Sequence, residues 1–299
     1  MLLLAVGHLC AQHPVVVERP AMGTPWSITV FAADTALARR TIAAAYARIE
    51  EIEQSMSDYR SDSEINRLNR LPVRRWHPAS EDLKQVMHFS LELARWSDGA
   101  FDPTVGPLSR LWRRAFRRQS FPEAGRIGAA KALVNHRKVK VDADRGIKFR
   151  SDSVQLDLGG IAKGYALDAA GEVLEAGGIS CYLIDGGGDL LLGRPPPGRT
   201  GWRVATPSGS LDTSRVAIAT SGSSYRFLER NGVRYSHLID PRTGLGIIDP
   251  RSVTVLAPTG MAADALASAA SVLGEAEWLR RRQKFPRAEV IWSSLEGRR

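Results

Sequence analysis

The sequence predicts an α+β fold, mixed α/β in content, with two lobes of mixed or antiparallel sheet flanked by helices. Three observations carry that reading. Short β-branched and aromatic runs are interleaved with longer segments whose apolar residues recur at helical spacing. The two kinds of segment do not alternate in strict strand–helix–strand order, which argues against a purely parallel sheet. The 299 residues are 43% hydrophobic and 24% charged, an ordinary globular composition that excludes a disordered chain.

Trp26 to Phe31 reads as the first strand. From Thr35, the residues Ile42, Tyr46, Ile49, Ile52 and Met56 recur on one helical face, and Ser57-Asp58 ends that helix. Ser61 to Asn69 reads as a short helix in which Ser61 and Glu64 have the spacing of a capping box. Leu83 to Trp96 is a further amphipathic helix, stopped by Asp98-Gly99. Lys138 to Asp142 and Val154 to Leu156 read as short strands, and a helix over Ile161 to Ala176 follows Gly159-Gly160. Strands are expected at Cys181 to Ile184, Leu190 to Leu192, Trp202 to Ala205 and Val216 to Ala219. Asn231-Gly232 predicts a hairpin turn between Tyr225 to Leu228 and Val233 to Ser236. Ser252 to Leu256, a helix over Met261 to Leu273, and Ala288 to Trp292 complete the chain. Pro195-Pro196-Pro197-Gly198 is a surface turn rather than a linker, so residues 15–299 read as one domain.

Residues 1–14 read as a truncated signal segment or a disordered tail. The apolar run from Met1 reaches small residues at Ala11, although a basic leading region is missing. Leu9 precedes Cys10 where lipidation needs a small residue. The expectation is an exported protein, periplasmic or associated with the inner membrane through its acceptor or its N-terminus. Two cysteines exclude a disulfide framework and multi-cysteine metal sites, and leave Cys181 as a buried, unpaired thiol. The 41 Lys and Arg exceed the 32 Asp and Glu, giving a formal charge of +9. Arg113, Arg114, Arg117 and Arg118, like Arg280 to Arg282 with Lys284, read as solvated helix faces. No zinc-finger spacing or aromatic RNA-binding motif accompanies them, so a nucleic-acid partner is not expected.

Five stretches carry chemistry. In Leu156-Asp157-Leu158-Gly159-Gly160-Ile161-Ala162-Lys163 a strand ends on a carboxylate, and a helix then begins with Lys163 in its first turn. A helix start of that kind suits phosphate, although it lacks the spacing of a Walker loop. Asp185-Gly186-Gly187-Gly188-Asp189 needs positive φ or a close backbone approach. Thr220-Ser221-Gly222 is a hydroxyl-rich turn of the kind that often satisfies itself locally. His237 ends a strand ahead of Asp240-Pro241 and is a candidate general base, with Asp240 as its orienter. Asp264 and Ser268, four apart on one helical face among alanines, offer hard oxygens to a cation such as Mg²⁺.

With Met22-Gly23-Thr24, Ser57-Asp58-Tyr59-Arg60 and Ala100-Phe101-Asp102-Pro103-Thr104 standing ahead of them in order, these stretches closely resemble the ApbE family of FAD:protein FMN transferases from about Met22 to Gly274. The resemblance implies Mg²⁺-dependent transfer of FMN from FAD to a Ser or Thr hydroxyl of a target flavoprotein, with release of AMP and an active site in the cleft between the lobes. It implies FAD contacts at Met22, Tyr59, Ala100, Phe101, Asp102, Asp157, Lys163 and His237. Metal ligation would fall to Asp264, Ser268 and the Gly160 carbonyl, and the catalytic role to His237. The alternative within the resemblance is an FAD-binding protein, or an FAD pyrophosphatase, without protein transfer. Ser268 stands where the family usually has Thr and keeps the hydroxyl. Ser223 stands where the family often has Asp or Asn.

Overall fold

The computed structural model describes residues 13–222 and 227–293. Its frame is a seven-stranded antiparallel sheet in which the chain enters, leaves and returns. β1 (His13–Ala21) and β2 (Thr24–Ala32) form an opening hairpin closed by Met22 and Gly23, both at positive φ (49° and 75°). α1 (Thr35–Met56) starts on Asp34, whose carboxylate accepts from the N–H groups of Ala36 and Leu37. It buries Ile42, Tyr46, Ile49, Ile52 and Met56 against the sheet side of the molecule, as the helical spacing requires.

A smaller body follows. It comprises α2 (Glu64–Leu68), β3 (Trp76–His77), α3 (Glu81–Trp96), α4 (Gly106–Arg118), α5 (Ala124–Leu133), β4 (Val139–Asp142) and β5 (Gly146–Phe149), the strands ordered β3-β5-β4. α6 (Ala162–Ala176) leads back into the large sheet through the hairpin of β6 (Tyr182–Gly186) and β7 (Asp189–Leu192). β8 (Trp202–Thr206) and β9 (Gly209–Thr213) form a separate hairpin before β10 (Val216–Gly222). β11 (Phe227–Arg230) pairs with β12 (Val233–Ser236), and β13 (Ile239–Asp240) with β14 (Leu245–Gly246). β15 (Ser252–Ala257), α7 (Gly260–Leu273), α8 (Glu275–Arg281) and β16 (Glu289–Ser293) complete the chain. The large sheet runs β1-β2-β6-β7-β10-β15-β16, and α1, α6 and α7 pack side by side against it. One apolar core extends from Ile28 and Ile184 in the sheet to Met87 and Phe149 in the smaller body. A satellite cluster of Trp202, Val204, Leu192 and Ile218 lies beneath the β8–β9 hairpin and includes Cys181, the buried free thiol.

Three expectations need correction. The cap of the short helix is Ser63, whose Oγ accepts from the Asn66 N–H, and not Ser61. Glu64 is therefore the first helical residue. Its carboxylate reaches Ser55 and Ser80 instead, tying the end of α1 to the start of α3. Val154 to Leu156 is buried in part but joins no sheet. The Leu156 N–H goes to Asn69 Oδ1 (3.0 Å) and the Asp157 N–H to the Pro103 carbonyl (2.9 Å), so loop partners replace a strand ladder. Of the strand expected over Tyr225 to Leu228, Phe227 and Leu228 stand in β11, while residues 223–226, Ser223 and Tyr225 among them, lie outside the described residues. β1 begins at His13, two residues inside the segment expected to be a tail, while the rest of that segment, residues 1–12, lies outside the described residues.

Candidate active site

The first wall of the site is built from small residues. A Cβ on Gly164 would lie 2.1 Å from the Gly260 carbonyl oxygen, and one on Gly260 would lie 2.4 Å from that of Gly164. The start of α6 therefore touches the start of α7 backbone to backbone, a distance no side chain permits. Asp168 locks this contact by accepting from the Gly260 and Met261 N–H groups at 2.6 and 2.8 Å, although burial pushes its carboxyl up to about 6. One turn along α7, Asp264 Oδ2 accepts from the Gly164 N–H at 3.0 Å. Ser268 follows one turn later on the same face, beside Gly160, where a Cβ would come within 2.9 Å of its Oγ.

Lys163 joins this wall to the β6–β7 hairpin. Gly187 and Gly188 turn the hairpin at positive φ (67° and 96°), and a Cβ on Gly187 would strike Thr24 at 2.6 Å. The turn delivers Asp189, which ion-pairs with Lys163 Nζ, while Asp264 Oδ2 stands 3.8 Å from the same nitrogen. Burial works against the Lys163 charge, but the Asp264 and Asp189 carboxylates outweigh it and hold the ammonium protonated. Burial likewise raises the Asp264 carboxyl, with Lys163 opposing and Asp189 reinforcing the rise.

The opposite wall is built from loops and ion pairs. Met22 holds the β1–β2 turn, with its N–H on Glu53 Oε2 at 2.9 Å. Beyond α1, Asp58 and Asp157 bring two buried carboxylates together, and Arg113 from α4 pairs with both, at 2.9 Å to Asp157. Its guanidinium carbon lies 4.2 Å from the ring centroid of Tyr59, a ring that is 75% exposed. Burial and the Asp157 charge raise the Asp58 carboxyl even with Arg113 beside it. Asp102 is buried with its oxygens directed away from solvent. They accept from the Thr104 N–H and Oγ1 and from the His136 N–H, with His136 Nδ1 at 2.9 Å. His237 lies between β12 and β13, in a turn held by the Leu238 N–H on Ser236 Oγ (3.1 Å) and the Ile247 N–H on the Leu238 carbonyl (2.8 Å).

Met22, Tyr59, Ala100, Phe101, Asp102, Asp157, Gly160, Lys163, His237, Asp264 and Ser268 all line one cavity of about 1290 Å³ between these walls. Residues up to 246 positions apart in sequence thus meet in one place. Two expectations change in detail. Asp240 does not serve as the orienter expected for His237: its carboxylate accepts from the Arg242 N–H (2.8 Å) and from Arg242 Nε and Nη2 (both 3.0 Å). Arg113 is not a solvated helix cation. It faces the cavity, and the sequence missed it because its two acids lie 55 and 44 residues away. Asp189 was also missed as a site residue, although its place after three glycines was a usable signal. Thr220, Ser221 and Gly222 line the cavity too, with the Thr220 N–H on Asp189 Oδ1 at 3.3 Å.

The donor set suits Mg²⁺. The Asp264 carboxylate, the Ser268 hydroxyl and the Gly160 carbonyl are hard oxygens, and the missing Cβ of Gly160 lets Ser268 close on that carbonyl's residue. Among the described residues no group of three His, Cys, Asp or Glu side chains forms a metal cluster. A site with one carboxylate, completed by neutral oxygens and by substrate phosphates, is the form in which Mg²⁺ is commonly held.

The comparisons with known proteins agree with this geometry. The ApbE family model matches residues 22–292. An FAD:protein FMN transferase of Klebsiella pneumoniae is 34% identical over 280 residues, covering 88% of this chain and 80% of its own. That of Vibrio cholerae is 32% identical over 287 residues, covering 92% and 86%. The apo crystal structure of the Pseudomonas stutzeri flavinyl transferase ApbE superposes with a TM-score of 0.83 at 29% identity, covering 97% of both chains. The Vibrio cholerae flavin transferase ApbE gives a TM-score of 0.83 at 30% identity, covering 94% and 93%. With a family model spanning nearly the whole chain and relatives above 30% identity over most of their own length, this chain belongs to the ApbE family.

Proposed function

We propose that this protein is an FAD:protein FMN transferase that uses Mg²⁺ to move FMN from FAD onto a Ser or Thr hydroxyl of an acceptor flavoprotein, releasing AMP. The observation that carries the reading is the meeting of Asp264, Ser268, Gly160, Lys163 and His237 in one cavity large enough for a dinucleotide. The names of the relatives support the same chemistry.

Asp264, Ser268 and the Gly160 carbonyl would hold the ion, which when bound supplies Lewis-acid polarisation and neutralises phosphate charge. The start of α6 presents its N-terminal dipole end to the same space. Lys163 keeps Asp264 and Asp189 from repelling an incoming pyrophosphate, because its ammonium is shared between them. Tyr59 and Phe101 bring aromatic rings to the cavity lining, where a planar heterocycle would pack. The acceptor hydroxyl attacks the phosphorus that stays with FMN, and its proton passes to the imidazole of His237. A new acceptor O–P bond forms as the P–O bond to the AMP phosphate breaks, and AMP leaves with that electron pair. Positioning does most of the remaining work. Export is part of the proposal and rests on the apolar run before Ala11.

The test combines the protein with FAD, Mg²⁺ and a candidate acceptor domain and follows fluorescent protein on a denaturing gel. A labelled acceptor is expected. Release of FMN and AMP with no labelled band would establish the pyrophosphatase alternative. Bound but unconverted FAD would establish a binding protein.

A further inference from the structure

A second concavity lies behind the Ala100–Thr104 loop, on the smaller body. It measures about 370 Å³ and is lined by Arg95 at the end of α3, His136 and Arg137 in a 3-10 turn, Lys140 on β4, and Arg150 just past β5. His136 pairs with Asp102, whereas the four full cations, Arg95, Arg137, Lys140 and Arg150, have no carboxylate ion pair among the described residues. Asp98 is the acid among the lining residues. Four cations against one acid leave a surplus of three positive charges in a small recess. The C-terminal end of α3 opposes an anion there, but Arg95 in its last turn offsets that dipole.

His136 gives the recess an inner wall. Its side chain is 12% exposed, and both its backbone N–H and its Nδ1 are fixed on Asp102 Oδ2, at 3.0 and 2.9 Å. Asp102 in turn lines the large cavity. The recess and the candidate active site therefore share one hydrogen-bonded pair as their partition.

We propose that this recess is a binding site for a small multiply charged phosphate anion, such as a diphosphate, separate from the site that handles FAD. Converging cations in a concave wall focus positive potential far more than the same charges spread over a convex surface. Three guanidinium forks and an ammonium match the oxygens of phosphate groups, whereas a monocarboxylate would leave most of the charge unmet. The volume is at the small end of ligand pockets and excludes a folded peptide segment.

Inorganic pyrophosphate, titrated by calorimetry into the full chain in Mg²⁺-free buffer at low salt, tests the assignment. Saturable binding is expected. The Arg137→Gln/Lys140→Gln/Arg150→Gln variant should weaken it by about tenfold or more, the loss of at least one hydrogen bond between charged groups. Arg137→Lys/Arg150→Lys, which keeps the charge, should retain most of it. Arg114→Gln/Arg117→Gln/Arg118→Gln removes the same net charge from an exposed face of α4 and should bind as the parent does. Absence of saturable binding overturns the proposal. So does a titration unchanged in the first variant, or one weakened equally in the α4 variant, which would reduce the effect to net charge.

Discussion

The two walls of the candidate active site are made by different physics. The α6–α7 wall is a backbone contact: Gly164 and Gly260 touch, Asp168 caps the junction, and Asp264 and Ser268 are carried on a helix with alanines between them. Nothing there can rotate far without breaking packing. The facing wall is assembled from the ends of loops, where Arg113 holds Asp58 and Asp157 together and lies over an exposed Tyr59. Rigid positioning is concentrated where an ion's oxygens would have to be placed closely, and adjustable side chains where a ring system and an acceptor would enter. The contrast teaches that the first wall should fail in an all-or-none way and the second by degrees.

Gly164→Ala gives the sharpest break. The added methyl meets backbone rather than a flexible side chain, so α6 and α7 must separate, at a cost of about 3 kcal/mol or more. Thermal melts should show the loss, and transfer should vanish with it. Asp264→Ala tests the same wall without the clash: transfer should fall by about 10³-fold or more with the fold retained by circular dichroism. Full activity in that variant, or in excess EDTA, would remove Asp264 from the metal assignment.

On the facing side, His237→Ala should lower transfer by about 10²–10⁴-fold while leaving FAD affinity intact. The rate of the parent should also fall on acidification, since a protonated ring accepts no proton. A loss confined to FAD affinity would make His237 a binding residue.

Smaller effects sharpen the contrast. Arg113→Ala leaves Asp58 and Asp157 buried without their cation, so FAD affinity should drop by roughly 10–100-fold, with Arg113→Lys intermediate. Equal affinity in all three proteins would show that the ion pair is structural only. Lys163→Ala should raise the apparent FAD constant more than it lowers the maximal rate, because Asp189 and Asp264 would then face the pyrophosphate unneutralised. Asp168→Ala strips the first N–H groups of α7 of their acceptor and should cost about 1–2 kcal/mol in stability. A denaturant titration reads that directly.

Much of this was legible in the chain itself. Ile42, Tyr46, Ile49 and Ile52 gave α1 by spacing, and Asn231-Gly232 gave the β11–β12 turn, whose two residues adopt positive φ (54° and 75°). The residues that line the cavity were legible because they lie in short contiguous stretches whose order matches a family. What escaped were features made by distant partners. β1 was missed because Val15, Val16 and Val17 run together between Pro14 and Pro20 and show no apolar–polar alternation, although in this edge strand Val15 is buried and Val16 exposed. Val154 to Leu156 looked like a strand by composition, yet Asn69 takes the Leu156 N–H and the Gln155 carbonyl accepts from the Gly106 N–H.

Sequence alone therefore determined the element types over most of the chain, the glycines that permit close approach, and the identity of the oxygen and imidazole donors. These are local properties: periodicity, turn chemistry and the functional groups a residue carries. Tertiary structure decided which of those groups meet. Arg113 became a wall of the cavity rather than a solvated cation because folding brought Asp58 and Asp157 to it, and Lys163 became a bridge between Asp189 and Asp264. Charges at long sequence separation find their partners through backbone packing. No spacing rule encodes that packing, because its geometry is set by the whole sheet and the helices laid on it.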